Sequence, residues 1–243
     1  MKKRILITGG TKGIGRAVAL ALAGEGYDLM LTYAADDMAA SGFKREIAGL
    51  FPSCDAVVLK ADVSCRKSID VIADCLSGDD RTLEAVVFNA GLTCRTPFEE
   101  MGIDEWEKVF WGNVHFPVFL LQKIIGRINK GGSVVFTGSL MGIEPHSVSL
   151  AYGVTKSAVH ALVRNLVKML APYGIRVNGV APGFVETVWH DSKPLEIRRS
   201  IEGKIALGRF CKADELAGIY RMLIENSYLN GEIIVADGGY SYK

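Results

Sequence analysis

Apolar and polar positions change period repeatedly along this chain. Arg4–Thr8, Leu29–Tyr33, Ala56–Lys60, Leu83–Phe88, Ser133–Thr137, Arg176–Val180 and Glu232–Ala236 are short apolar runs of the kind that form buried strands. Between them, Gly13–Gly24, Met38–Leu50, Arg66–Leu76, Asp104–Ile128, Tyr152–Ala171 and Ala213–Glu225 repeat apolar residues every three or four positions. That spacing puts one apolar stripe of each helix against a core. Strict strand–helix alternation predicts the α/β class: a doubly wound, mostly parallel sheet of about seven strands with helices on both faces. Residues 1–243 read as one domain, without repeats or linkers. The least regular stretch, 186–206, carries charge, a proline and weak periodicity. Its place after the sixth strand predicts a substrate-covering segment, the plain alternative being a surface loop with no task.

Composition narrows the picture by exclusion. About half of the 243 residues are apolar, the formal net charge is +1, and the two signs are interleaved. Nothing here favours nucleic acid or an anionic membrane as partner. The five cysteines, Cys54, Cys65, Cys75, Cys94 and Cys211, contain no Cys-x-x-Cys pair. Neither a disulfide framework nor a metal site is expected, and a reducing compartment is. Met1-Lys2-Lys3-Arg4 is followed by too short an apolar run for a signal peptide, and no run is long enough to span a bilayer. A cytoplasmic protein is expected.

Chemistry enters at the first turn. The first strand runs into Thr8-Gly9-Gly10-Thr11-Lys12-Gly13-Ile14-Gly15, where a helix begins. Glycines there let the backbone approach a pyrophosphate, and the helix N-terminus offers unpaired N–H groups and partial positive charge. Spaced glycines alone often mark only a turn, but their place inside a βαβ unit makes this a Rossmann-type nucleotide site. The spacing Thr-Gly-x-x-x-Gly-x-Gly resembles that of the short-chain dehydrogenase/reductase family. Further marks of the family follow in order: Asp62-Val63, Asn89-Ala90-Gly91, Asn113, Gly138-Ser139, Tyr152-Gly-Val-Thr-Lys156, Pro182-Gly183 with Val185 and Thr187, and Asp237-Gly238-Gly239. The resemblance covers essentially the whole chain. Leu207-Gly208-Arg209-Phe210 is similar to the 3-oxoacyl-acyl-carrier-protein reductase-like group, whose members serve fatty acid biosynthesis.

Tyr152 and Lys156 lie four residues apart, hence on one helix face. A tyrosine near its ordinary pKa of about 10 is a poor acid or base at neutral pH. A neighbouring ammonium and a helix start both push that pKa down. Alone, such a pair is usually a solvated surface pair. The resemblance assigns Tyr152 the proton transfer, Ser139 the orientation of the substrate oxygen, and Lys156 both the nicotinamide ribose and the tyrosine pKa. It also gives the backbone of Asn113 a water in a proton relay. Pro117, four residues on, has no N–H to offer the Asn113 carbonyl, so a freed carbonyl is expected there, the alternative being a simple kink. His115, His146, His160 and His190 show no metal-ligand spacing, and His146 and His190 are candidates for the substrate mouth. Val159, Leu162, Leu166, Met169 and Leu170 read as core or subunit interface.

The resemblance implies an enzyme that moves a hydride between NAD(P)(H) and a carbonyl or alcohol carbon. Cofactor contacts are expected at Thr8, Gly9, Thr11, Lys12, Gly13, Ile14, Gly15, Thr32, Tyr33, Asp62, Val63, Asn89, Ala90, Gly91, Tyr152, Lys156, Pro182, Gly183, Val185 and Thr187. NAD-selective members carry an acidic residue at the end of the second strand, where this chain has Tyr33. With Lys12 and the Thr32 hydroxyl nearby, NADP(H) is the expected preference, unless Asp36 and Asp37 face the same space. The substrate expected is a 3-oxoacyl thioester, with an acyl carrier protein as candidate partner and Arg127 and Lys130 as candidate docking cations. The second helix end, Ala171-Pro172-Tyr173-Gly174, lacks such a cation, which keeps open a free ketone, sugar or polyol. A catalytically idle nucleotide sensor is the reading from another class, opposed by the intact Ser139/Tyr152/Lys156 set. The family commonly forms homotetramers, so a homo-oligomer is expected.

Overall fold

The computed structural model describes residues 3–78, 80–145, 149–189 and 193–242. Seven parallel strands form one sheet in the order β3-β2-β1-β4-β5-β6-β9: β1 Arg4–Ile7, β2 Asp28–Tyr33, β3 Ala56–Lys60, β4 Leu83–Phe88, β5 Ile128–Thr137, β6 Arg176–Pro182 and β9 Ile233–Ala236. The order reverses between β1 and β4, which opens a crevice at the carboxyl ends of the strands. The pleat sends alternate residues to opposite faces. Leu6, Met30, Val86, Phe136 and Val177 face α3 (Ser68–Ser77), α5 (Phe116–Ile124) and α6 (Leu150–Leu170). Ile5, Ile7, Leu31, Val87 and Val135 face α1 (Gly13–Gly24), α2 (Asp37–Leu50) and α8 (Ala213–Glu225). The expected doubly wound architecture is therefore the one observed. Buried Arg176 ties the layers together, its guanidinium donating to the carbonyls of Leu223 and Ile224 at the end of α8.

Three stretches depart from the sequence pattern. The helix expected over 104–128 is α4 (Ile103–Phe110), a π-helical segment Trp111–His115, α5, and a 3₁₀ turn Ile125–Arg127. Apolar periodicity cannot reveal a single inserted residue, which is what a π segment amounts to. Strand β5 begins at Ile128 rather than Ser133, because Ile128 pairs with Leu83 before a bulge carries the chain to the Ser133–Ala85 pair. Asn129-Lys130-Gly131-Gly132 reads locally as a turn, and it is the register with β4 that recruits Ile128. The segment 186–206 contains a helix, α7 (Leu195–Glu202). It is pinned by Arg198, which donates to Glu186 at 2.6 Å and Glu202 at 3.0 Å and lies over the Phe210 ring. Beside it, β7 (Val185–Glu186) pairs with β8 (Cys211–Lys212).

Candidate active site

A cleft of about 410 Å³ lies at the carboxyl ends of the strands, from the β1–α1 turn across to Trp189 and Lys193. Its first wall is the glycine turn. Gly9 and Gly13 have φ of 63° and 52°, a left-handed region that suits glycine. A Cβ on Gly15 would stand 2.6 Å from Asn89 Nδ2, so α1 can approach the turn this closely only with glycine there. The turn is braced from behind. Thr8 Oγ1 accepts the N–H groups of Asn89 (3.0 Å) and Ala90 (3.1 Å), and Asn89 Nδ2 donates to the carbonyls of Thr8 and Gly9. Gly9, Lys12, Gly13 and Ile14 line the cleft, whereas Thr8, Thr11 and Gly15 stand behind it. The N-cap residue of α1, Lys12, makes no side-chain cap, and the first turn holds no acid, so its N–H groups remain open to an anion. These features fit a dinucleotide pyrophosphate.

At the end of β2, two of the expected cofactor contacts have protein partners of their own. Thr32 lines the cleft although nearly all of it is buried, and its hydroxyl accepts the Gly9 N–H at 3.3 Å, which braces the turn and leaves its own O–H to donate. Lys12 is ion-paired with Asp36, which also N-caps α2 by accepting from Ala39 N at 2.9 Å. Asp37 pairs with Lys60 and accepts the Tyr33 hydroxyl at 2.9 Å. Asp36 thus serves as helix cap and as competitor for the Lys12 charge. Farther along, Asp62 turns its carboxylate back onto the N–H of Ser64, while Asp62 and Val63 line the cleft with Asn89, Ala90 and Gly91. Pro182, Gly183, Val185 and Thr187 form the far wall, and Thr187 lies close over Gly13.

The four candidate reacting residues come from three separate elements. Ser139 follows β5, Tyr152 and Lys156 occupy the first turns of α6, and Asn113 sits in the π segment. Tyr152 and Ser139 line the cleft together, and the Ser139 hydroxyl is near enough to work against the rise in the Tyr152 pKa. Ser139 Oγ also accepts the Met141 N–H at 3.1 Å. Lys156 Nζ donates to the Thr137 carbonyl at 2.7 Å and lies 5.4 Å from the centre of the Tyr152 ring. Asn113 stands behind Gly91. Its amide donates to the Leu92 carbonyl and Thr155 Oγ1, both at 2.9 Å, and its Oδ1 accepts the Leu92 N–H at 2.7 Å. The side chain of Asn113 is thereby spent on tying β4 to α6. The backbone around Asn113 is a π segment that ends two residues before Pro117, rather than one α-helix with a simple kink.

Electrostatics reverse one expectation. Burial pushes the Tyr152 hydroxyl above its ordinary pKa, with the Ser139 hydroxyl opposing. Burial also brings Lys156 down to about 8. Spacing alone puts the ammonium next to the phenol, but tertiary packing buries Lys156 and half-buries Tyr152, and desolvation disfavours both charged forms.

Sequence reasoning passed over His160, one turn beyond Lys156 on the same face of α6. It is buried, and its Nε2 accepts the Ser139 N–H at 3.4 Å. Its pKa falls to about 4, through burial first and then the charges of Lys156 and Arg164, so it is the neutral ring that accepts. A Cβ on Gly138 would sit 2.7 Å from its Cδ2, and one on Gly142 2.8 Å from its Cε1. The signal was present as Tyr152, Lys156 and His160 at a spacing of four with glycines flanking Ser139, but metal-ligand spacing was the wrong pattern to seek. Trp189 was also missed. Its ring packs on Tyr152 with centroids 5.8 Å apart, and its carbonyl accepts from Arg95 Nη2 at 3.3 Å. His146 and His190 lie outside the described residues. The candidate docking cation Arg127 is committed to the carbonyls of Leu76 (2.8 Å) and Arg81 (3.0 Å), while Lys130 is exposed.

The family model described as enoyl-(acyl carrier protein) reductase matches residues 9–241. The 3-oxoacyl-[acyl-carrier-protein] reductase of Aquifex aeolicus is 31% identical over 96% of this chain and 95% of its own. The 2-dehydro-3-deoxy-D-gluconate 5-dehydrogenase of Pseudoalteromonas atlantica is 31% identical over 98% and 95%. The crystal structure of a short-chain dehydrogenase from Burkholderia cenocepacia in complex with NADP superposes with a TM-score of 0.90 at 27% identity, covering 98% of each chain. No helix among the described residues is long and apolar enough to cross a membrane.

Proposed function

The chain belongs to the short-chain dehydrogenase/reductase family of nicotinamide-dependent oxidoreductases, and from that premise we propose that it is an NADPH-dependent reductase of 3-oxoacyl thioesters, with Tyr152 as proton donor. One observation carries this reading: Ser139, Tyr152 and a buried Lys156 line one cleft whose other end is an uncapped glycine turn. The turn from Gly9 to Ile14 would hold the pyrophosphate, Asp62 and Val63 the adenine, and Lys156 the nicotinamide ribose. Asn89, Ala90, Gly91, Pro182, Gly183, Val185 and Thr187 would enclose the rest. The nicotinamide, when bound, supplies the hydride. Ser139 holds the substrate oxygen by its hydroxyl, Tyr152 Oη delivers the proton to it, and a water on the Asn113 carbonyl passes a replacement toward Lys156. In the reverse direction the same groups accept the proton. The ring of Trp189, on the segment 186–206, covers Tyr152 and restricts water there.

A second reading, reduction of a free oxo-acid or sugar acid, is favoured by one specific finding. Arg127 is consumed by backbone carbonyls, which removes one of the two cations expected to meet an acyl carrier protein. The Pseudoalteromonas relative, named for a sugar-acid substrate, is as similar as the thioester reductase. A homotetramer built on α4 to α6 fits the exposed Phe119, stacked on Trp111, and the exposed Met169. The test is cofactor oxidation with 3-oxoacyl thioesters beside small ketones, oxo-acids and sugars, in native protein and in Tyr152→Phe. Thioesters are expected to be the best substrates, and Tyr152→Phe to lose at least about 10²-fold in turnover with cofactor affinity kept. Turnover near native in Tyr152→Phe overturns the assignment. Better turnover of oxo-acids selects the second reading.

A further inference from the structure

The acidic and basic side chains of the described cleft wall are Lys12, Asp62, Arg95, Glu144, Lys156 and Lys193. Three of them are accounted for. Lys12 is paired with Asp36, Asp62 folds onto its own turn, and Lys156 is bound to the Thr137 carbonyl. The remaining three stand at the substrate end, and two are cations. Arg95 comes from the loop after β4, and Lys193 from the segment leading into α7. The two walls meet where Arg95 Nη2 donates to the Trp189 carbonyl, and Trp189 in turn packs on Tyr152. This sets the guanidinium at the rim above the proton donor, with one of its five N–H groups used.

Neither Arg95 nor Lys193 has an ion-pair partner among the described residues. Lys193 is half-buried, and burial together with the Arg95 charge pushes its ammonium below the ordinary lysine value. Two like charges drawn together at a partly water-excluded rim oppose each other, and an anion placed between them relieves both the repulsion and the desolvation. Glu144, on the lining after the Ser139 turn, is hydrogen-bonded to neither. Its charge on the same lining works against an anion there.

We propose that Arg95 and Lys193 form an anion-recognising rim at the substrate end of the cleft, so that the substrate carries a carboxylate or phosphate group that reaches this rim while its carbonyl meets Tyr152. This rests on the oxidoreductase reading of the site. The anion has two chemical sources, the carboxylate of a free oxo-acid and the phosphate of a pantetheine arm on an acyl thioester. The experiment measures kcat/KM for acetoacetate against its methyl ester, and for an acetoacetyl 4′-phosphopantetheine thioester against the N-acetylcysteamine thioester. A carboxylate source predicts a large acid-over-ester preference, and a phosphate source a large preference within the thioester pair. Arg95→Gln and Lys193→Gln are each expected to cut the relevant preference about tenfold, through KM rather than kcat. Glu144→Gln is expected to increase it. Equal kcat/KM within both pairs overturns the proposal, as does a preference unchanged in both variants. Failure of the oxidoreductase reading looks different. No substrate would then be turned over, while acetoacetate or phosphopantetheine would still change tryptophan fluorescence in native protein and not in Trp189→Phe or Lys193→Gln. Absence of that binding signal as well would sink the rim itself.

Discussion

Substituting Gly138 with alanine adds a single methyl group, yet a large effect is expected. The new Cβ would lie 2.7 Å from His160 Cδ2, closer still to Nε2, and 3.1 Å from the Val180 carbonyl. The imidazole has nowhere to retreat. Its Nε2 holds the Ser139 N–H, and its Cε1 is packed closely against Gly142. The Gly138 N–H is itself bonded to Val180 at 2.7 Å, so the strand end cannot shift cheaply. Relief has to come from the 138–142 turn, which carries Ser139. Overpacking of this kind costs about 1–3 kcal/mol. A displacement of the reacting group by about 1 Å costs on the order of 10²-fold in turnover. His160→Ala alone should destabilise by about 1–3 kcal/mol, since it leaves a buried N–H unpaired. The double variant should be better than the sum of the two, with a coupling of about 1–3 kcal/mol, because the ring that the methyl group strikes is gone. Urea midpoints at constant m-value and kcat on the best substrate give the four corners of the cycle. Native-like stability and kcat in Gly138→Ala, or strict additivity in the double variant, would refute the packing argument.

Three further predictions concern charge and cofactor. Asp36→Asn keeps a side-chain oxygen for the Ala39 N–H but releases Lys12; NADPH affinity should rise severalfold with helix stability held, and titration of both cofactors checks it, a gain in NADH alone being the contrary result. Lys12→Ala should weaken NADPH about tenfold and NADH little, since a charge-assisted phosphate contact is worth roughly 1.5–3 kcal/mol; equal weakening of both would remove the phosphate role. In cofactor-free protein Lys156 has its pKa lowered to about 8, so between there and the ordinary lysine value the unfolded chain binds more protons than the folded one. Its contribution to stability therefore rises as pH climbs through that window, and Lys156→Met should flatten the pH dependence of the urea midpoint there; an unchanged slope contradicts the burial argument.

Short apolar runs alternating with stripes of period about three and a half determine which segments are strands and which helices, because a central parallel strand is buried on both faces while a helix turns one stripe inward. On that basis β3, α8 and α1 were legible to the residue, and so was the glycine turn, whose spacing is a local backbone requirement. The pairing of Tyr152 with Lys156 was legible too, being a matter of helical spacing. What could not be read locally depended on neighbours distant in sequence. Ile128 joins a strand because Leu83 lies beside it, and the helix before it carries a π segment where Asn113 must reach Leu92 and Thr155. The direction of the Tyr152 and Lys156 pKa shifts follows from burial, which no spacing reports. Lys12, Thr32 and Arg127 are each plausible ligand groups by type. Asp36 competes for Lys12, Thr32 also braces the Gly9 N–H, and two backbone carbonyls take up Arg127, and only the folded chain brings those partners within reach. Residue type sets what a side chain can do. Tertiary structure decides which of those capacities remains unspent, because hydrogen bonds and desolvation act over a few ångströms between residues that the sequence holds far apart.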